Sequence, residues 1–286
     1  KLNYSSILIF SAALSISDYL RANILTGFPW NLWAYSTISM NEVLQIINSI
    51  GFYSYNLFVI TIFTSPVIIL FEISKIKKLI NSVVIVFIIL SLYIYGNYEI
   101  NKNKKILKKP NEKIYVKIIS PNFNLKYGLS SNEIEERFKK IIRYSDPDKK
   151  KKTLFIWPEG VFSGYEFNEI LNFKSLILKN FSNKHHIVLG ANKLDPISGN
   201  FYNSMFIINN KFEVIQIYNK RKLVPFGEFL PFEKILNNFG FKKITEGHGS
   251  FLKGEEDNNL VIEKLNILPL ICYEIIFPGF NSKIYN

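Results

Sequence analysis

The chain has 286 residues, of which 48% are apolar, and a formal net charge of +12 at pH 7. Its mean hydropathy is nevertheless positive, at +0.10, so charged and apolar residues are concentrated in different regions. Residues 1–100 carry five Lys or Arg against four Asp or Glu, and nearly all the net charge lies after them. The composition excludes a disordered chain, a collagen-like repeat and a disulfide-rich scaffold. The part after residue 100 is long enough to bury one sizeable core.

Three apolar stretches in the first hundred residues predict membrane-spanning helices. No charged residue occurs from 43 to 71 or from 79 to 98, and about 20 apolar helical residues cross the hydrocarbon core of a bilayer. A shorter run, 2–17, is interpreted as a third span, with the core of a signal peptide as the alternative. We expect a transmembrane helical region over residues 1–100, followed by a basic linker over 101–112.

The links between these spans indicate their orientation. The short basic link at residues 75–78 favours the cytoplasmic side, so the link at 22–42 and everything after residue 98 are expected to face outward. The first link contains the aromatic segment 27–33, which is typical of a membrane interface. Alternatively, this segment holds a lipid chain or packs beneath an external catalytic domain.

From about residue 113 the sequence changes to short β-rich runs that alternate with helical stretches. Several of these runs are apolar throughout, as in strands buried on both faces. The predicted strands are residues 114–120, 153–157, 186–189, 204–208, 212–218 and 267–272. Residues 132–144 predict a helix with apolar side chains on one face and Glu and Lys on the other. This pattern predicts a layered α/β domain over residues 113–286.

Two basic runs, 102–109 and 139–152, raise the question of nucleic acid binding. No aromatic platform is interleaved with these lysines, as single-strand binding requires. We therefore expect no nucleic acid partner, and interpret the runs as solvated surface or as attraction to anionic lipid head groups. His185, His186 and His248 have no metal-ligand spacing with the cysteine, so neither a metal nor another cofactor is expected.

Three reactive side chains are predicted to lie at strand ends. Glu159 follows the strand over 153–157, Lys220 follows the strand over 212–218, and Cys272, the only cysteine of the chain, ends the strand over 267–272. A thiol is a strong nucleophile only as thiolate, and a carboxylate can take its proton while an ammonium group stabilises the resulting anions. The combination favours nucleophilic catalysis, against the alternative that Cys272 is a small buried hydrophobe.

The motifs around these residues resemble the apolipoprotein N-acyltransferases, membrane-embedded members of the nitrilase, or carbon–nitrogen hydrolase, superfamily. The matching segments are Trp157-Pro158-Glu159, Tyr218-x-Lys220-x-x-Leu223-Val224-Pro225-Phe226-Gly227-Glu228, Cys272-Tyr273-Glu274 and Gly27-Phe28-Pro29-Trp30-Asn31-Leu32-Trp33. The resemblance implies α-helical transmembrane spans followed by an α/β nitrilase-like sandwich with αββα layers. It also implies a fragment that lacks both ends, so that the catalytic domain is C-terminally incomplete.

The resemblance further implies a two-step acyl transfer at the outer leaflet of a bacterial inner membrane, with the catalytic domain on the periplasmic side of a multi-pass protein. Cys272 would be the nucleophile, Glu159 the general base and Lys220 the electrostatic partner. A glycerophospholipid would donate the acyl chain as a thioester, and the N-terminal α-amine of S-diacylglyceryl-cysteine in a lipoprotein would accept it. The supporting or substrate-binding residues would be Glu228, Tyr273, Glu274, Trp157 and Tyr127.

Two other functions remain open. A membrane-tethered nitrilase-type amidase would use the same three residues with water as the acceptor. An inactive, truncated membrane protein would act as a scaffold. The aromatic segment 27–33 and the Phe226-Gly227-Glu228 context favour the acyltransferase, because a tethered amidase needs only a single anchor.

Overall fold

The computed structural model describes residues 4–71, 74–106, 114–124, 126, 128–162, 164–240, 249–255, 259–262 and 265–280. These residues form two compact units. One is a helical unit made of residues 4–106 and 276–280, and the other is an α/β unit made of residues 114–275.

The helical unit does not follow the three predicted spans residue by residue. Its described helices are α1 (Tyr4–Asn23), α2 (Asn41–Leu44), α3 (Ile47–Ile50), α4 (Phe52–Thr64), α5 (Pro66–Phe71) and α6 (Lys75–Ile106), with a 3-10 helix at Trp33–Thr37. The apolar run over 43–71 is not one helix, because Gly51 adopts a φ of +78° between α3 and α4. Pro66 then begins α5, since it has no backbone N–H to continue the hydrogen bonding of α4.

Two of the described helical segments are long and apolar enough to cross a membrane, Phe52–Phe71 and Lys75–Lys104. Only 11% of the most apolar window in the second segment is buried within the structure. A helix that is apolar all round and stays exposed is typical of a lipid-facing span, whereas an apolar core helix of a soluble protein is covered by its neighbours. Helix α1 is not among these candidates.

A polar cluster in the helical unit holds the aromatic segment 27–33. Arg21 donates from Nη1 to the carbonyl oxygens of Phe28 and Trp30, at 2.7 and 2.6 Å. Gly27 has a φ of +73°, and a Cβ there would lie 2.2 Å from the Ala22 carbonyl oxygen. The chain can make this turn against α1 only with glycine, because any side chain would displace backbone atoms.

The α/β unit is built on one mixed sheet of five strands in the order β1-β2-β3-β4-β5. The strands are β1 (Tyr115–Ile118), β2 (Thr153–Ile156), β3 (His185–Leu194), β4 (Phe201–Asn209) and β5 (Val214–Asn219), and the helices are α7 (Ser131–Ser145), α8 (Phe167–Ile170), α9 (Lys174–Asn180) and α10 (Glu233–Leu236). The first three strands are parallel and the last two pairings are antiparallel. A separate two-stranded sheet consists of β6 (Leu260–Ile262) and β7 (Leu265–Ile267).

The two faces of the main sheet bury different cores. Phe155 of β2 packs with Phe138 of α7 and the other helices, whereas its neighbour Leu154 packs with Leu260 and Ile262 of the small sheet. Successive strand residues point to opposite faces, so one strand serves both cores. The arrangement gives a helix layer, the main sheet and a second sheet of two described strands, which agrees with a carbon–nitrogen hydrolase fold.

Most strand and helix predictions in this unit are confirmed, and one is wrong. Each of the first five predicted strands overlaps an observed strand, and the predicted helix over 132–144 is α7, whose first turn carries a capping box between Ser130 and Glu133. The predicted strand over 267–272 is not formed, because β7 ends at Ile267. Pro269 lacks the N–H that a sheet ladder requires, and Cys272 begins a 3-10 helix instead.

Candidate functional site

One edge of the main sheet collects the ends of several strands. Strand β2 ends at Ile156 and leads to Glu159, and β5 ends at Asn219 directly before Lys220. Strand β4 runs antiparallel to its neighbours, so its first residues, including Asn203, lie at the same edge. The sheet topology therefore brings Glu159, Asn203 and Lys220 together from distant parts of the sequence.

The side chains at this edge form a continuous hydrogen-bonded chain. Asn203 donates from Nδ2 to Oε1 of Glu159 at 3.1 Å and to Oε1 of Glu228 at 2.9 Å. Lys220 donates from Nζ to the same Glu228 oxygen, at 2.9 Å. Only 1% of Lys220 is exposed, and a buried ammonium group needs a counter-charge such as this one.

Glu228 is fixed by its own turn as well as by Lys220. Its second carboxylate oxygen, Oε2, accepts a hydrogen bond from the backbone N–H of Val224 at 2.9 Å, and its own N–H donates to the Val224 carbonyl at 2.8 Å. Gly254 supports Lys220 from another segment by donating its N–H to the Lys220 carbonyl at 2.8 Å. A Cβ on Gly254 would lie 2.2 Å from the Asn219 carbonyl oxygen, so this close approach requires glycine.

Cys272 lies on the turn that follows β7 and is exposed. Its φ is +48°, a left-handed conformation that destabilises a residue other than glycine by roughly 1–2 kcal/mol. Strained backbone of this kind persists where surrounding contacts hold it and is concentrated at functional sites. Here it presents the Cys272 side chain at the start of the 3-10 helix Cys272–Ile276.

Glu274 supplies the contacts that hold this turn. It is completely buried, and its Oε2 accepts from the backbone N–H of Ile271 at 2.8 Å. Its Oε1 accepts from the backbone N–H groups of Arg221 and Lys222, at 2.7 and 3.0 Å, and from the Tyr218 hydroxyl at 2.9 Å. Glu274 thus ties the backbone before Cys272 to the backbone after Lys220.

The Tyr218 hydroxyl is kept protonated by the same contact. Burial raises the pKa of Tyr218, and the negative charge of Glu274 raises it further. A protonated hydroxyl donates to the carboxylate, which a phenolate cannot do. The Tyr218 hydroxyl and the three backbone N–H groups therefore all donate hydrogen bonds to the Glu274 carboxylate, which a buried charge requires.

The charges of the site act on the Cys272 thiol. Although the residue reaches the surface, desolvation raises the pKa of its thiol above the ordinary value, and the Glu159 carboxylate raises it further. Lys220 and the backbone N–H of Tyr273 act in the opposite direction, and Glu228 has a weaker raising effect. The thiol is consequently protonated at neutral pH and needs a base to become a nucleophile.

The structure assigns different positions to the predicted supporting residues. Trp157 is 3% exposed, donates from Nε1 to Ser145 Oγ at 3.1 Å and packs in the helix-side core, which is in keeping with the supporting part of its predicted role. Glu274 is buried and holds the backbone segments on either side of the site through its hydrogen bonds. Tyr273 is also buried, and Tyr127 lies outside the described residues.

Asn203 is the residue of this edge that sequence reasoning missed. The strand was predicted to start at Ser204, whereas β4 begins at Phe201. The signal in the sequence is the polar pair Asn203-Ser204 within an otherwise apolar run, Phe201–Ile208. A polar side chain in such a strand needs partners, but only the sheet register shows which ones.

A cavity of about 250 Å³ lies beside Glu159, between residues 120–123 and 158–161. Its lining combines the polar side chains of Ser120 and Asn122 with the ring of Phe123. Among the residues that the structure describes, no group of three or more His, Cys, Asp or Glu side chains could hold a metal ion. Of the three predicted catalytic residues, Glu159 lines this cavity, and the charges of Glu159 and Lys220 act on the Cys272 thiol.

Comparisons with known proteins agree with this geometry. The profile of the carbon-nitrogen hydrolase family matches residues 125–284, more than half of the chain. The chain belongs to the carbon-nitrogen hydrolase family. A second profile, the apolipoprotein N-acyltransferase N-terminal domain, matches residues 1–64. The two matches confirm the family resemblance that the motifs predicted.

Alignments with individual relatives cover nearly all of the chain. Apolipoprotein N-acyltransferases of Rhodopseudomonas palustris and Bradyrhizobium diazoefficiens are each 27% identical to it, over 95% and 97% of this chain and 53% of their own lengths. That of Agrobacterium fabrum is 27% identical over 94% of this chain and 51% of its own. The chain thus spans about half the length of the curated relatives it matches.

Proposed function

We propose that the protein transfers an acyl chain from a glycerophospholipid to the N-terminal α-amine of S-diacylglyceryl-cysteine in lipoproteins. The observation that supports this most is that the Glu159 and Lys220 charges act in opposite directions on the pKa of the Cys272 thiol, while Glu274 ties the backbone before Cys272 to the backbone after Lys220. The two family-profile matches and the relatives named apolipoprotein N-acyltransferase support lipoprotein N-acylation as the reaction. The protein would lie in a bacterial inner membrane as a multi-pass protein with the α/β unit on the periplasmic side.

The first half of the reaction forms a thioester. Glu159 takes the proton from Cys272 Sγ, and the thiolate attacks the ester carbonyl carbon of the phospholipid. The oxyanion that develops is stabilised by the Lys220 ammonium group and the Tyr273 backbone N–H. When the C–O bond breaks, Glu159 returns the proton to the leaving oxygen, and a lysophospholipid departs.

The second half transfers the acyl chain to nitrogen. The neutral α-amine attacks the thioester carbonyl carbon, the C–N bond forms and the C–S bond breaks. Glu159 takes the proton that the amine loses and returns it to Cys272, so the enzyme ends in its starting state. Two separate half-reactions through one covalent intermediate predict ping-pong kinetics.

A specific observation favours a second candidate. The matched family is the carbon-nitrogen hydrolases, and the same thiol, base and ammonium group would hydrolyse an amide if water took the place of the amine. In that case a thioester would form from an amide substrate and be lost to water without any lipopeptide.

One experiment tests the proposal against this candidate. The protein is purified in detergent, incubated with phospholipid and followed by intact-protein mass spectrometry, with Cys272→Ala as the control. We expect a hydroxylamine-sensitive acyl adduct on the wild-type protein that persists until a diacylglyceryl lipopeptide is added. An adduct that never forms, or that decays equally fast with and without lipopeptide, would overturn the acyltransferase proposal.

A further inference from the structure

Asn203 connects the two carboxylates of the candidate site. One nitrogen, Nδ2, contacts Oε1 of both Glu159 and Glu228, at 3.1 and 2.9 Å. Its backbone carbonyl also accepts the Lys220 N–H at 2.9 Å. Among the hydrogen bonds of the residues that the structure describes, no other side chain links Glu159 to the Lys220–Glu228 pair.

The two carboxylates lie close to each other because they share this partner. The distance between the two carboxylate oxygens cannot exceed the sum of their distances to Asn203 Nδ2. Like charges at such a distance repel. Lys220 is paired with Glu228, whereas the described side-chain contact of Glu159 is with the Asn203 amide.

A neutral amide suits this position better than a second cation. The two N–H bonds of an asparagine side chain can serve one carboxylate each. A lysine there would neutralise Glu159 and weaken it as a base, whereas an amide orients the carboxylate and leaves its charge available. An aliphatic residue would provide neither contact and would leave Glu159, which is exposed, free to change rotamer.

We infer that Asn203 is a positioning residue, whose amide aims the Glu159 carboxylate at Cys272 and keeps Glu228 on Lys220. It takes no part in bond making. This inference rests on the proposed function for the identity of the reaction, but not for the state of the thiol. The charged groups that face the thiol are Glu159, Lys220 and Glu228, and Asn203 contacts two of them.

Two variants test this role in different ways. Asn203→Ala removes both contacts, and misplacing a catalytic group by about an ångström slows a reaction by as much as 10²-fold. We expect acylation of Cys272 by phospholipid to slow by about ten- to a hundredfold. Asn203→Asp keeps the shape but adds a third carboxylate, so we expect it to slow acylation at least as much.

The second readout is alkylation of Cys272 by iodoacetamide across a pH series, which needs no acyl substrate. The added charge in Asn203→Asp disfavours the thiolate, so its alkylation profile should move to higher pH and its rate at neutral pH should fall severalfold. The matched control is Asn209→Asp at the other end of β4, where the side chain contacts Glu213 and the backbone N–H of Lys211 but neither Glu159 nor Glu228 among the contacts described. In that variant, the rates of Cys272 acylation and alkylation should both stay within about twofold of wild type.

The outcomes separate the inference from the proposed function. Thermal unfolding identifies any variant that fails to fold, and the remaining variant then decides. If Asn203→Asp acylates and alkylates like wild type, the positioning role is overturned. It is equally overturned if Asn203→Ala loses acylation only in proportion to its folded fraction. If wild type forms no acyl adduct, the proposed function fails, and the alkylation profiles still test Asn203.

Discussion

The two units of the molecule each contain a polar network centred on a buried or half-buried asparagine. In the helical unit, Asn56 donates from Nδ2 to Oδ2 of Asp18 at 3.0 Å and accepts from the backbone N–H of Ala34 at 2.9 Å. Arg21 pairs with the other Asp18 oxygen at 2.9 Å. The Arg21 cation is paired with the Asp18 anion, and both the nitrogen and the oxygen of the Asn56 amide are hydrogen-bonded.

The network of the α/β unit is not balanced in this way. The side chains include two carboxylates, Glu159 and Glu228, but one ammonium group, Lys220, which contacts Glu228, and the Asn203 amide nitrogen donates to both carboxylates. The excess negative charge acts on the Cys272 thiol.

The difference indicates what each network does. A buried polar network with every charge paired fixes local structure and has no group left over for chemistry. A network with one carboxylate in excess beside a nucleophile is arranged to move a proton. Variants of the first network should therefore change stability, and variants of the second should change the reaction.

The largest effect is expected for Glu159→Gln. Removing a general base slows proton transfer, typically by about 10²–10⁴-fold, and the amide keeps the shape of the side chain. Acylation of Cys272, followed by mass spectrometry, should slow by that factor while the thermal unfolding midpoint stays the same. Glu136→Gln on the exposed surface of α7 is the control, and equal losses in both variants would contradict the assignment of the base.

A somewhat smaller effect is expected for Lys220→Met, which keeps the length of the side chain and removes its charge. Loss of one group that stabilises an oxyanion slows acyl transfer by roughly 10²–10³-fold. Steady-state turnover with phospholipid and lipopeptide measures the loss, with the exposed Lys139→Met as the control. Turnover equal to wild type in Lys220→Met would contradict a role for Lys220 in the reaction.

Glu274→Gln should act mainly on stability. The substituted amide nitrogen would face at least one of the backbone N–H groups that Glu274 now accepts, and an unsatisfied buried donor destabilises by about 1–3 kcal/mol. Thermal or denaturant unfolding in detergent measures the loss. Glu213→Gln, on the exposed turn between β4 and β5, is the control and should unfold like wild type.

The smallest effect is expected for Arg21→Ala in the helical unit. It removes two hydrogen bonds to the aromatic segment 27–33 and the pairing with Asp18, which together should lower the unfolding midpoint by the equivalent of about 1 kcal/mol or slightly more. The alkylation profile of Cys272 should not change, because Arg21 is not among the charges that act on the thiol. A shifted profile would contradict the division between the two networks.

Local sequence signals predicted the regular elements of the α/β unit well. Helix α7 was placed to within one residue at each end, because its apolar period and its polar face are local properties. Strands β2 and β5 were placed through apolar runs of the right length, and the ends of these strands pointed to Glu159 and Lys220.

The features that sequence reasoning missed depend on long-range contacts. The turn at Cys272 is held by Glu274, and three of its four partners lie more than fifty positions earlier in the chain. Asn203 finds its partners only through the register of β4 against its neighbours. In the helical unit, the break at Gly51 is set by one left-handed residue within a long apolar run, where hydropathy shows no interruption.

The most direct test of the central claim is the pH dependence of Cys272 alkylation in wild type, Glu159→Gln and Lys220→Met. Glu159 raises the pKa of the thiol and Lys220 lowers it, and only the thiolate reacts with iodoacetamide. Below the pKa, Glu159→Gln should therefore alkylate faster than wild type and Lys220→Met more slowly, although both lose acyl transfer. Shifts in the same direction, or no shifts, would show that these charges do not converge on the thiol and would contradict the account.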